Sequence, residues 1–181
     1  MTYDMIRLFE HELRFRGSVP YAIVTFGGSR KSGTFELDVE WKPSQMSDQK
    51  TARLQIRWDV ETLRLHHADL EEELEIARTR DENQTVRIEQ AAIVVAVAAM
   101  SFVEPQTRFT SRSRIGTGHD FGLNSRHDEM IEIAGRTNGS LTSLFKAKRE
   151  QSDKNPTLRK RWVSVTVFGK SPRNRTEGLH L

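Results

Sequence analysis

The chain has 181 residues, 36% hydrophobic and 29% charged, enough for one good core or two small ones beneath a well-charged surface. It contains no cysteine, which excludes disulfides, thiol nucleophiles and zinc–thiolate sites together. The net charge of +3 hides an asymmetry: residues 105–181 hold 15 Lys/Arg against 7 Asp/Glu, and residues 1–104 hold 13 against 18.

A basic C-terminal half suits an anionic partner, nucleic acid being the usual one; it equally suits two halves that complement each other within one fold or an oligomer. The start, Met1-Thr2-Tyr3-Asp4-Met5-Ile6-Arg7, lacks the basic-then-apolar order of a signal peptide. The longest apolar run, Ala91 to Met100, is ten residues, against about 20 for a bilayer span. The expectation is a soluble cytoplasmic protein with no membrane partner.

Tyr3 to Phe15 carries Met5, Ile6, Leu8, Phe9 and Leu13 at helical spacing and predicts a short opening helix, broken by Gly17 and Pro20. Tyr21 to Phe26 predicts a strand, with Gly27-Gly28-Ser29-Arg30-Lys31 as a hairpin turn; this stretch lacks the GxxxxGK[ST] pattern of a phosphate-binding loop. Thr34 to Trp41 alternates Phe35, Leu37, Val39 and Trp41 with polar residues, and Ala52 to Trp58 alternates through Leu54, Ile56 and Trp58. Together they predict an antiparallel meander with one wet face.

Asp59 to Arg80 holds no Pro or Gly and predicts one acidic helix, with Leu63, Leu70, Leu74 and Ala77 inward and Glu71, Glu72, Glu73 and Glu75 on a solvated edge. His66 and His67, adjacent on such a helix, point about 100° apart and make a poor pair of metal ligands. A second helix, Thr85 to Phe102, is apolar on every side from Ala91 onward and predicts a buried central helix. Glu89 lies near its start, in register with Ile93, Ala96 and Met100, where a capping or helix-dipole role would also explain it.

After Pro105 the period becomes two. Arg108 to Ile115 alternates Arg108, Thr110, Arg112 and Arg114 with Phe109, Ser111, Ser113 and Ile115. Gly116 and Gly118 turn the chain into a strand holding Asp120, Asn124 to Asp128 forms a polar hairpin loop, and Glu129 to Gly135 is a strand holding Glu132. Asn138-Gly139-Ser140 caps a helix from Leu141 to about Gln151, with Leu141, Leu144 and Phe145 inward. Trp162 to Phe168 is a β-branched strand, and the tail from Lys170 is polar and expected to fray.

Asp120 and Glu132 are the informative pair. A carboxylate in an apolar strand is costly to bury unless something cationic compensates it. Two on neighbouring strands point to a shared divalent metal or a basic partner; for Asp120, pairing with Arg114 or Arg136 would also serve.

Residues 85–168 run helix, strand, strand, strand, helix, strand, with acids on the first helix and on the second and third strands. That order resembles the core of the PD-(D/E)xK nuclease superfamily. The resemblance covers slightly under half the chain and implies an α-β-β-β-α-β nuclease-like core over 85–170; with the N-terminal antiparallel strands and helix read over 1–84 and the polar tail over 171–181, the expected fold is α+β. It implies that Asp120 and Glu132 bind Mg²⁺, with Glu89 as the helix acid of the metal shell. Hard carboxylate oxygens suit Mg²⁺, which takes only one or two protein carboxylates. Where the family's motif has a lysine, two residues after the second strand acid, this chain has Ala134. Lys146 or Lys148 on the following helix would substitute, Lys148 better because it shares a face with Leu141, Leu144 and Phe145.

Asp120, Glu132 and Lys148 are thus the candidate catalytic residues. Arg108, Arg112, Arg114, Arg136, Arg159, Lys160 and Arg161 are candidate phosphate contacts, which position nucleic acid without reading its sequence; as plain edge residues they would discourage strand-to-strand aggregation. Three functions stand side by side. One is a metal-dependent nuclease in defence or repair. Another is a non-catalytic subunit with a degenerate nuclease-like fold that binds protein partners or nucleic acid. The last is a structural, oligomerising protein whose acids are simply ion-paired.

Overall fold

A computed structural model describes residues 1–11, 13, 15–79, 84–112, 120–153 and 160–179, with backbone alone at 126–128. Among the described residues eight strands are formed: β1 (Thr2–Asp4), β2 (Ser32–Lys42), β3 (Lys50–Asp59), β4 (Phe109–Arg112), β5 (Phe121–Leu123), β6 (Arg126–Arg136), β7 (Lys160–Val167) and β8 (Arg173–Gly178). They make one mixed sheet in the order β1-β3-β2-β8-β7-β6-β5-β4. β6 runs parallel to β7 and β8 parallel to β2, while β4, β5 and β6 form an antiparallel meander. The helices are α1 (Val19–Gly27), α2 (Val60–Arg64), α3 (Leu70–Thr79), α4 (Gln84–Val103) and α5 (Leu141–Ser152). The fold is mixed α+β.

The core lies on both faces of the sheet. On one face, α4 buries Ile88 and every residue from Ala91 to Met100 against Ile131, Ile133, Trp162 and the inward residues of β2 and β3, with α1 and α3 stacked outside it. Its alanines bring neighbouring backbones close, and each buried Val or Ile contributes about 1.5–3 kcal/mol. By length and composition α4 could cross a membrane, but its apolar residues are consumed inside this core. At Gly135 a side chain would not fit: a Cβ there would lie 2.6 Å from the Ile88 carbonyl oxygen. On the opposite face, α5 packs Leu141, Leu144 and Phe145 against Val163, Val165, Val167 and Leu179. Beyond it the wet face of β2 and β3 carries cross-strand pairs such as Arg53–Asp38 at 3.2 Å.

The strands β2, β3 and β7 and the helices α4 and α5 lie where the sequence predicts them, α5 with Ser140 Oγ accepting from the Ser143 amide. Five expectations are corrected. Tyr21 to Phe26 is helical, not a strand: Pro20 sits in the first turn of α1, where its fixed φ fits, and α4 buries Ala22 and Ile23. A short apolar run has no period that separates a strand from a buried helix. Gly28, at φ 64°, ends that helix rather than turning a hairpin. The opening segment is a strand and a 3₁₀ turn over Met5–Glu10, because Thr2–Asp4 pairs with β3. The acidic segment is two helices, α2 and α3, separated at residues 65–69. The polar tail is not frayed: β8 is inserted between β2 and β7, where Asn174 and Thr176 are fully buried.

Their polarity is matched within the sheet. The Asn174 amide donates to Ser164 Oγ, the Val165 carbonyl and Thr166 Oγ1 at 3.0–3.1 Å, and the Thr176 hydroxyl donates to Asn174 Oδ1 at 2.9 Å. Hydrogen bonding of this completeness lets a polar strand occupy a sheet interior.

Candidate functional site

Asp120 ends the pairing of β5 with β6. Its amide donates to the Ile131 carbonyl at 3.0 Å, and its Oδ2 accepts from the Ile133 amide at 2.6 Å. The carboxylate thus takes the place of a partner strand, and β6 runs on toward Arg136. Asn124 and Ser125, at φ 57° and 53°, make the tight turn that sets this register, so the expected loop to Asp128 is shorter than predicted.

Side-chain alternation on β6 sends Ile131 and Ile133 to α4, and Glu132 and Ala134 to α5. Glu132 is 1% exposed. Lys148 of α5 donates to Glu132 Oε1 at 2.5 Å and to Gln151 Oε1 at 3.1 Å, which leaves its third proton unassigned among the described residues. Burial, then repulsion from Asp120, push the Glu132 carboxyl up to about 7, against the pull of Lys148. Burial also raises Asp120, opposed by the Ile133 amide, Lys148 and Arg112. One ammonium therefore faces two mutually repelling carboxylates.

A cleft of about 320 Å³ opens over this pair, lined among others by Glu89, Arg112, Asp120, Arg136 and Lys148. Glu132 lies behind that lining. Glu89 reaches the cleft from α4, yet among the described residues no group of three or more His, Asp or Glu side chains is gathered as a metal site. The two carboxylates nonetheless fit a hard divalent cation: they are oxygen donors, short of positive charge, and Mg²⁺ needs only one or two of them.

The other predicted cations divide. Arg112 and Arg136 line the cleft, and among the described residues neither has a carboxylate ion pair. Arg108 is elsewhere, its charge felt by Tyr3 and His11. Lys160 bonds Glu104 at 2.8 Å beneath the Trp162 ring, and Arg161 bonds Asp153 and the Ser152 carbonyl. Arg114 and Arg159 lie outside the described residues. His66 stacks on Phe9 and His67 bonds Glu73, so the two histidines have separate partners.

Sequence reasoning passed over Arg16, Ser18 and Gln90. They line a recess of about 370 Å³ that shares Gln90, Ile93, Arg112 and Phe121 with the cleft. No local pattern signals them, because the recess forms only when the chain before α1 folds against α4 and β5. No family model, no curated protein and no solved structure matches the chain.

Proposed function

We propose that this is a nucleic-acid-associated protein with a PD-(D/E)xK-like core, acting as a Mg²⁺-dependent nuclease in defence or repair. The observation that carries the reading is the convergence of Asp120 on the β5 approach, Glu132 on β6 and Lys148 on α5 beside one basic cleft. The run α4-β4-β5-β6-α5-β7 and its mixed pairing accord with the element order of that core.

In this reading Asp120 and Glu132 would hold the metal, whose chemistry is to lower the pKa of water and neutralise charge on the phosphate. Lys148 holds Glu132 in place and keeps a proton for a phosphate oxygen or the attacking water. Arg112 and Arg136 bind flanking phosphates, and Glu89 accepts from water in the cleft.

A second reading has its own observation. Lys148 is already bonded to Glu132 and Ala134 replaces the motif lysine, an arrangement suited to a degenerate core that binds nucleic acid or a protein partner without cutting. Cleavage assays with Mg²⁺ or Mn²⁺ on single-stranded and duplex DNA and on RNA separate the two. The nuclease reading expects cutting that disappears in Asp120→Asn and Glu132→Gln with circular dichroism unchanged. Well-folded wild type that cuts none of these substrates refutes it. Salt-sensitive binding indifferent to chelator then supports the second reading.

A further inference from the structure

The recess beside the cleft has a composition the acidic pair does not explain. Its floor is apolar and aromatic: Phe15 and Phe121, both buried, meet edge to face with centroids 5.7 Å apart, and Leu13 and Ile93 complete the wall. Phe15 holds a left-handed backbone at φ 45°, a strained conformation for a bulky residue, which places its ring there. Its rim is polar. The Ser18 hydroxyl donates to Gln90 Oε1 at 2.6 Å, which fixes the amide and leaves its amino group without a partner among the described residues. Arg16 and Arg112 are exposed at the mouth with no carboxylate ion pair among the described residues. At about 370 Å³ the recess falls in the ~300–1,000 Å³ range of small-ligand sites.

An apolar aromatic wall, a fixed amide donor and two guanidinium groups are what a nucleotide requires: a surface for the base, a donor for its carbonyl, and charge for its phosphates. We propose that this recess takes an unpaired nucleotide of a single strand, its base against Phe15, Ile93 and Phe121 and its phosphates at Arg16 and Arg112. The inference rests on the nucleic-acid reading above and adds its substrate class. A base in a duplex is stacked and paired, and would have to be extruded to enter. The protein therefore prefers single strands, frayed ends or gaps over continuous duplex.

The test is fluorescence anisotropy with labelled oligo-dT, oligo-U and a duplex of equal length, without metal. Gly17→Trp is the blocking variant: a Cβ at Gly17 meets nothing within 4 Å, so the fold accepts a side chain that obstructs the mouth. Gln90→Leu removes the amide at similar volume, and Arg16→Ala removes the charge. Wild type should bind the single strand more tightly than duplex, and Gly17→Trp should weaken single-strand binding about tenfold with little change for duplex. Arg16→Ala should lower the slope of log affinity against log salt by about one. Single-strand binding unchanged in all three variants, or lost equally for duplex, overturns the inference and leaves the nuclease reading standing. No binding of any oligonucleotide by wild type overturns the inference, and the nuclease reading is then decided by the Mg²⁺ cleavage assay alone. The dT and U arms decide between DNA and RNA.

Discussion

Gly135→Ala places a methyl group at the contact between β6 and α4. The new carbon would sit 2.6 Å from the Ile88 carbonyl oxygen, 2.8 Å from the Ala92 methyl and 3.1 Å from Ile88 Cγ2. Carbon contacts settle at about 3.5–4.0 Å, so α4 and β6 must separate by about 1 Å. Two effects compete. Replacing a strand glycine by alanine favours folding by roughly 0.5–1 kcal/mol through the unfolded chain. Overpacking against helix backbone costs about 1–3 kcal/mol, because no rotamer change moves a carbonyl oxygen aside. Overpacking wins, with a net loss of about 1–2 kcal/mol. Urea unfolding should therefore show a lower midpoint with unchanged slope. Ala92→Gly in the Gly135→Ala background removes one of the three close atoms and should recover part of the loss. Equal or greater stability of Gly135→Ala would refute this account of how α4 is seated, and with it the placement of Glu89 beside the cleft.

Lys148→Met leaves Glu132 buried without its cation. Burial has already raised that carboxyl above its unfolded value, so its ionised form loses stability as pH rises through about 7. The variant should lose up to about 3 kcal/mol at pH 8 and clearly less at pH 6, in urea unfolding at the two pH values; equal losses would speak against a buried ion pair. Asn174→Ala removes an amide whose two N–H protons and one oxygen reach four buried partners and should cost about 2–4 kcal/mol, read as a fall in thermal midpoint. His11 sits among Phe15 and Phe109, where burial and then Arg108 and Arg7 lower its pKa from 6.5 to about 4. Below 6.5 the unfolded chain binds the proton first, so stability falls as pH drops from 6.5 toward 4, by about 2 kcal/mol after allowance for solvent screening. His11→Gln should flatten that part of the profile relative to wild type in acid unfolding curves.

The elements that announced themselves are those whose burial leaves a period. Phe35, Leu37, Val39 and Trp41 must face one side of a strand, Leu54, Ile56 and Trp58 must answer them, and an apolar stretch as long as Ala91 to Met100 must be buried whole; local composition is sufficient in each case. Ser140 could be named as a cap because its hydroxyl acts three residues away. Tyr21 to Phe26 and Arg173 to Gly178 misled for one physical reason: their state is decided by partners distant in sequence. α1 is a helix because α4 offers it a surface, and β8 is a strand because β2 and β7 leave an interior place whose hydroxyls match Asn174. The same division runs through the candidate site. Glu132 and Lys148 were legible as an acid on a strand and a cation on a following inward helix face, whereas Asp120, expected on the neighbouring strand, stands just before β5. That Lys148 bonds Glu132, that Glu89 shares the cleft with Asp120 without a three-ligand group forming among the described residues, and that Arg16 and Gln90 open a recess beside it are consequences of tertiary packing, since residues 16, 90, 112 and 121 meet only when the chain closes on itself.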